Sequence, residues 1–205
     1  MLGYTWRRIR KSLKHKRDQR VFDWHKAEID AFVQMHRDGY VDLYFADASH
    51  FSLTPSVSYA WQKKDEQILV PAAKSIAMSV FGLMTPDCKL YSQTFQGTLN
   101  SEKIIGVFDQ FAKTAIKQTI VVVDNAPVHH SKAFKAKIDQ WREQDIYIYF
   151  LPAYSPELNK IEILWRFIKY NWLPFDAYKN IENLKERLNY ILENIGSLKY
   201  NINFY

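Results

Sequence analysis

The chain has 205 residues, 47% of them hydrophobic, which is enough for one domain with a substantial core and too apolar for a disordered chain. No apolar run approaches the roughly 20 residues that span a bilayer, and the charged N-terminus lacks the apolar core of a signal peptide. A single cysteine, Cys88, excludes an internal disulfide and any cysteine-based zinc site, so a cytoplasmic protein is the simplest reading.

The net charge of +6 is unevenly placed. Residues 1–20 carry +7, from Arg7, Arg8, Arg10, Lys11, Lys14, Lys16, Arg17 and Arg20 against Asp18, and the rest of the chain carries −1. This arm is either a solvated basic segment or a phosphate-binding one. A basic helix is predicted over 4–17 and a second over 22–37, with Trp24, Ile29, Phe32 and Val33 as apolar positions and Gly39 as its end. "YVDLYFADASHF" (40–51) alternates Val41, Leu43 and Phe45 as a half-buried strand does. "IAMSVFGLM" (76–84) and "LYSQTF" (90–95) are strands around the turn "TPDC", completing an antiparallel meander.

The pattern then changes. Residues 101–117 carry a helical stripe of Ile104, Ile105, Phe108, Phe111, Ala112 and Ile116. "TIVVVD" (119–124) is a strand covered on both faces. Ser131 caps a helix over 132–143, "IYIYFLP" (146–152) is a strand, and "SPELNKIEILWRFIKYNWLP" (155–174) is a helix with Ser155 as N-cap, Pro156 at its first position and Pro174 at its end. A last helix covers 179–195. Three antiparallel strands followed by helix–strand–helix–strand–helix specify an α/β fold: a mixed five-stranded sheet with helices on both faces, of ribonuclease H-like type. Residues 1–38 form a basic arm and 39–205 the main domain.

Two of these strands lead to aspartates, Asp47 and Asp124. Each is either a turn residue or a functional carboxylate. If the two strands are parallel neighbours, the two acids face one another at the sheet's carboxyl end, where α/β sites form, and such a pair needs a cation. Oxygen-only ligands suit Mg²⁺ or Mn²⁺. Glu162 lies at the border of its helix's apolar stripe, either as a third carboxylate or as a surface acid near a helix start.

"FADASHF", "VVVDNAPVHHS" and "LPAYSPELNKIEILW" together resemble the catalytic core of mariner-superfamily DDE transposases, the bacterial insertion-sequence (six-thirty) type in particular, over residues 40–172. The resemblance implies that Asp47, Asp124 and Glu162 are the catalytic, metal-binding triad, with 37 residues between the last two. It implies two Mg²⁺ or Mn²⁺ ions, roughly 3.5–4 Å apart, for in-line phosphoryl transfer. It also implies excision at terminal inverted repeats, insertion at a TA dinucleotide and a homodimer on DNA, in the bacterial cytoplasm at the nucleoid. Arg7, Arg8, Arg10, Lys11, Lys14 and Arg17 are candidate DNA contacts. Asn125 either binds substrate or fixes its loop, and His129 either meets a phosphate or is a satisfied structural histidine. Trp165 is either core or base-stacking.

Three positions depart from the family pattern. Lys160 stands where relatives carry proline, Ala48 where they often carry an acid, and "QKKDEQ" after Trp61 lacks the usual glycine. The opening "MLGYTWRRIRKSL" resembles the last part of the family's helix-turn-helix region, so a separate upstream product is the expected reader of the element ends. The alternatives are a non-catalytic DNA-binding remnant and a stand-alone nuclease of the same fold.

Overall fold

The computed structural model describes residues 14–56, 64, 67, 69 and 77–202. Arg7, Arg8, Arg10, Lys11, most of the predicted helix over 4–17 and most of "QKKDEQ" lie outside them. The described part of that helix, Lys14–Lys16, is a single 3-10 turn. Helix α1 (Gln19–Arg37) starts earlier than its apolar stripe suggests because Asp18 caps it, its carboxylate accepting the N–H of Arg20 at 2.9 Å and of Val21 at 3.3 Å. Its end is a Schellman turn. Gly39 takes φ +81, its N–H donates to the His36 carbonyl, and the Tyr40 N–H donates to the Met35 carbonyl.

Strands β1 (Asp42–Phe51), β2 (Met78–Met84) and β3 (Leu90–Gln96) form the expected antiparallel meander. After helix α2 (Ser101–Ala112), strand β4 (Thr119–Val123) runs parallel to β1. Helix α3 (Lys132–Arg142) leads to β5 (Ile146–Phe150), parallel to β4, and the sheet order is β3-β2-β1-β4-β5. Helix α4 (Ile161–Phe167) and helix α5 (Ile181–Glu193) complete the chain.

Period-two alternation divides the sheet residues between two cores. Leu43, Phe45, Val80, Met84 and Val122 pack with residues of α1, α4 and α5 on one face. Ala46, Phe81, Leu83, Val121 and Val123 pack with α2 and α3 on the other. The wholly buried β2 and β4 carry apolar residues in succession because both of their faces are covered.

Two helices differ from their sequence patterns. Helix α2 stops at Ala112 rather than 117, where the Thr114 hydroxyl donates to the Phe111 carbonyl at 2.7 Å, and Ile116 is 93% exposed. The segment predicted as one helix over 155–174 is three pieces: a 3-10 turn at Pro156–Leu158, α4, and a π-helical turn at Ile168–Trp172. Ser155 makes no capping hydrogen bond, and Asn159 is extended at φ −90, ψ 98. Lys160, in place of the family proline, has φ −62. Its dihedral and the extended residue before it are ones that a proline at this position would also adopt.

Candidate active site

The β1–β4 ladder ends at Phe45↔Val122, and two further steps along the same register set Asp47 opposite Asp124. Asp47 lies within β1 rather than at its end, because antiparallel pairing with β2 continues to Phe51↔Met78. Asp47 thus marks where β1 loses its parallel partner, and Asp124 marks the end of β4.

The two acids open into grooves that meet at Glu162. One, of about 600 Å³, is lined by Asp47, Ser49, Asn159, Glu162, Trp165 and Lys169 among others. The other, of about 400 Å³, is lined by Asp124, Asn125, Tyr154, Ser155 and Glu162 among others. Glu162 and Pro156 belong to both. Burial pushes Asp47 up to about 7, with the charges of Asp124 and Glu162 adding to it and N–H groups of Ala48 and Trp165 opposing. Partial burial and the charges of Asp124 and Glu157 likewise raise Glu162, against the opposing Arg166. Burial also pushes Asp124 upward, but the hydrogen bond and charge of His129 and the Ala126 N–H outweigh it, leaving Asp124 below the ordinary carboxylate range.

Each aspartate is held by a ring N–H. Trp165 Nε1–H donates to Asp47 Oδ2 at 3.1 Å. His129 Nδ1 lies 2.9 Å from Asp124 Oδ1 and 3.2 Å from the Asp124 carbonyl. Both neighbours are acceptors, so the proton belongs on Nδ1. His129 is 2% exposed, its Nε2 buried without a partner. It therefore serves Asp124 from the protein side, and in this arrangement it offers no surface to a phosphate. Asn125 is exposed on the groove wall and pairs with His130, which stacks on Phe150. Asn159, 2% exposed, donates Nδ2–H to the Ala46 carbonyl at 3.0 Å and so ties the turn before α4 to the strand ahead of Asp47. Lys169 reaches into the same groove: burial lowers its pKa, Asp47 opposes that, and its Nζ lies 5.2 Å from the Phe51 ring centre. Lys14 (Nζ to Oε1, 3.0 Å) and Arg17 both pair with Glu157 on the groove rim.

The roles of Asn159 and Lys169 are not apparent from residue type; the signal in the sequence is their spacing from Glu162.

Asp47, Asp124 and Glu162 present only oxygen donors; burial is the main cause that raises Asp47 and Glu162, and the repulsion from neighbouring carboxylates that adds to it is what a bound cation would relieve. Among the described residues no three His, Cys, Asp or Glu side chains close around one point. The donor chemistry fits hard divalent ions.

The family model for DDE superfamily endonucleases matches residues 42–185, which include all three acids. The chain belongs to the DDE superfamily of endonucleases. The chain is 31% identical over 65 residues to "Uncharacterized protein y4pE/y4sA" of Sinorhizobium fredii (strain NBRC 101917 / NGR234), a stretch covering 32% of this chain and 44% of the relative. Its fold matches that of Mos1 transposase in a paired-end complex with the left transposon end: TM-score 0.60 and 16% identity over 94% of this chain and 60% of the other. The Mos1 mariner paired end complex with Mn gives 0.59 and 15% over the same shares. The fold is thus the ribonuclease H-like one. The chain spans less than two thirds of the length of these relatives. No helix of the described residues is long and apolar enough to cross a membrane.

Proposed function

We propose that this chain is the catalytic domain of a transposase that cleaves and rejoins DNA strands by metal-dependent phosphoryl transfer, with Asp47, Asp124 and Glu162 as its acids. What carries this reading is the pair of grooves that meet at Glu162, one holding Asp47 and the other Asp124, within the span matched by the family model.

The three carboxylates would hold two Mg²⁺ or Mn²⁺ ions, and the Mn in the Mos1 complex supports this choice. When bound, the ions supply positive charge against the charge that develops on a phosphoryl group in transit. The chain's own residues set the stage for that step. His129 and the Ala126 N–H keep Asp124 anionic and fixed in direction. Asn159 fixes the backbone ahead of Asp47. Arg166, one turn beyond Glu162, and Lys169 give the larger groove a cationic wall for DNA phosphates. In strand cleavage, water oxygen bonds to phosphorus as the bond to the 3′ oxygen breaks. In strand transfer, the freed 3′-hydroxyl oxygen bonds to a phosphorus of the target strand as that phosphorus loses its bond to its own 3′ oxygen, which leaves as a hydroxyl while the attacking hydroxyl gives up its proton. The partners are DNA with terminal inverted repeats, a TA target and a second copy of the chain. The site of action is the bacterial nucleoid.

The test is nicking of supercoiled plasmid. Nicking with Mn²⁺ or Mg²⁺, lost on chelation and without strong sequence preference, is expected. Asp124→Asn should reduce it to background, because a neutral amide cannot balance two cations. Metal-dependent nicking that survives this substitution refutes the triad.

A further inference from the structure

We propose that Trp165, seated over Gly82, is a positioning residue that sets the direction of the Asp47 carboxylate. The inference rests on the proposed role of Asp47 and adds a determinant to it. Trp165 is 4% exposed, and a buried indole N–H needs an acceptor. The acceptor here is a carboxylate oxygen of Asp47 at 3.1 Å, three residues along the helix from Glu162. One ring therefore couples the helix carrying Glu162 to the side chain of Asp47.

The seat for that ring is made by an absence of side chain. Gly82 pairs directly with Asp47 across β1 and β2. A Cβ at Gly82 would stand 2.8 Å from Trp165 Cη2, 3.0 Å from Cζ2 and 3.2 Å from Ile161 Cδ1. The first of these is closer than real Cβ atoms come, and the atoms met belong to a buried rigid ring and to the helix core. Gly82 is therefore the position that lets the indole lie flat enough on the sheet for its N–H to meet Asp47. Phe51 closes the far side, edge-on to the ring at 6.4 Å between centroids. Asn159 fixes the backbone ahead of Asp47, so the indole has only the carboxylate's rotation left to set. Asp47 lines the larger groove, and its carboxylate keeps lone pairs beyond those that the Trp165 and Ala48 N–H groups engage. Partners of ligating groups commonly change metal affinity or activity by about 10- to 100-fold when removed.

The experiment measures Mn²⁺ affinity by electron paramagnetic resonance of free Mn²⁺, alongside plasmid nicking and thermal melting. Trp165→Phe keeps an aromatic core residue and removes the N–H. The expectation is a cooperative melt, Mn²⁺ affinity weaker by about 10-fold and nicking slower by about 10- to 100-fold. Gly82→Ala should give a similar loss by displacing the ring. The double variant should lose no more than Trp165→Phe alone, since both act through one contact. If Trp165→Phe fails to fold, benzothienylalanine at position 165 keeps the ring's shape and removes only the N–H, and the same affinity loss is expected. Unchanged Mn²⁺ affinity in a folded variant lacking the N–H, or fully additive losses in the double variant, overturns the proposal. Asp47→Asn separates the two readings. If it abolishes Mn²⁺ binding and nicking while loss of the indole N–H changes neither, only the positioning role fails. If Asp47→Asn leaves both intact, the assignment of the triad fails.

Discussion

Burial pushes Asp47 up to about 7, with repulsion from Asp124 and Glu162 adding to it, whereas His129 and the Ala126 N–H take Asp124 below the ordinary range despite its own burial. The two groups therefore affect stability in separate pH windows. An unfolded chain titrates Asp47 near an ordinary value of about 4. Between there and about 7 the native state holds a proton that the unfolded state has lost, so stability falls as pH rises through that window. Asp124 has the opposite sign: its contribution is present above the ordinary carboxylate value and is lost only as pH falls below it. Above the ordinary carboxylate value and up to about pH 7 the Asp47 effect therefore sets the slope. The chelator-treated protein should melt at progressively lower temperature from pH 5 to 8. Asp47→Asn should flatten that decline and melt several degrees higher at pH 8, an effect of at most roughly 4 kcal/mol. Parallel melting curves for the two proteins would contradict it. The sequence shows three acids at the right spacing, but not these environments. His129 and Trp165 are legible as aromatic residues near acids, while the direction of each N–H depends on packing between distant elements.

Among the elements, the strands were legible and the segment around Glu162 was not. Alternation along β1 and the valine run of β4 reflect burial on one or both faces of a sheet, a local rule with a period of two. "SPELNKIEILWRFIKYNWLP" carries helix signals at its start, yet Asn159 leaves the helix because its amide is bound by the Ala46 carbonyl, 113 residues away in sequence. A contact of that separation has no local signature. Glycines show the same division. Gly39 is legible as a helix stop, and its φ of +81 is a purely local need, since an added Cβ there meets nothing within 4 Å. Gly39→Ala should therefore cost about 1 kcal/mol of backbone strain, lowering the melting temperature by roughly 2–4 °C without altering nicking. A loss of nicking at unchanged stability would show that the α1–β1 turn has a role in the site. Gly82 has the opposite character, with its constraint coming from Trp165 rather than from its own dihedrals.

At the scale of the whole molecule, the charge separation gives the chain a direction. Residues 1–20 carry +7 and the remainder −1, so affinity for a polyanion is concentrated at one end. That end joins the fold at the groove rim, where Lys14 and Arg17 pair with Glu157 and the Arg17 guanidinium lies 3.9 Å from the Phe22 ring centre. Pairing with Glu157 offsets part of the charge of Lys14 and Arg17, and Arg7, Arg8, Arg10 and Lys11 carry four of the eight positive charges of residues 1–20. Every phosphate that a cation no longer neutralises reduces the dependence of log affinity on log salt by about 0.9. Replacing these four residues with glutamine should therefore weaken non-specific duplex binding at low salt and reduce the slope by up to about 3.6, while Mn²⁺ affinity and the melting temperature stay unchanged. Replacing four exposed cations far from the groove, Lys113, Lys135, Arg142 and Lys185, changes net charge equally and should leave the slope nearly intact. Equal slopes for the parent and the arm variant would show that the arm is only solvated. Equal reductions in both variants would show that net charge, rather than the arm's position at the groove, governs DNA affinity.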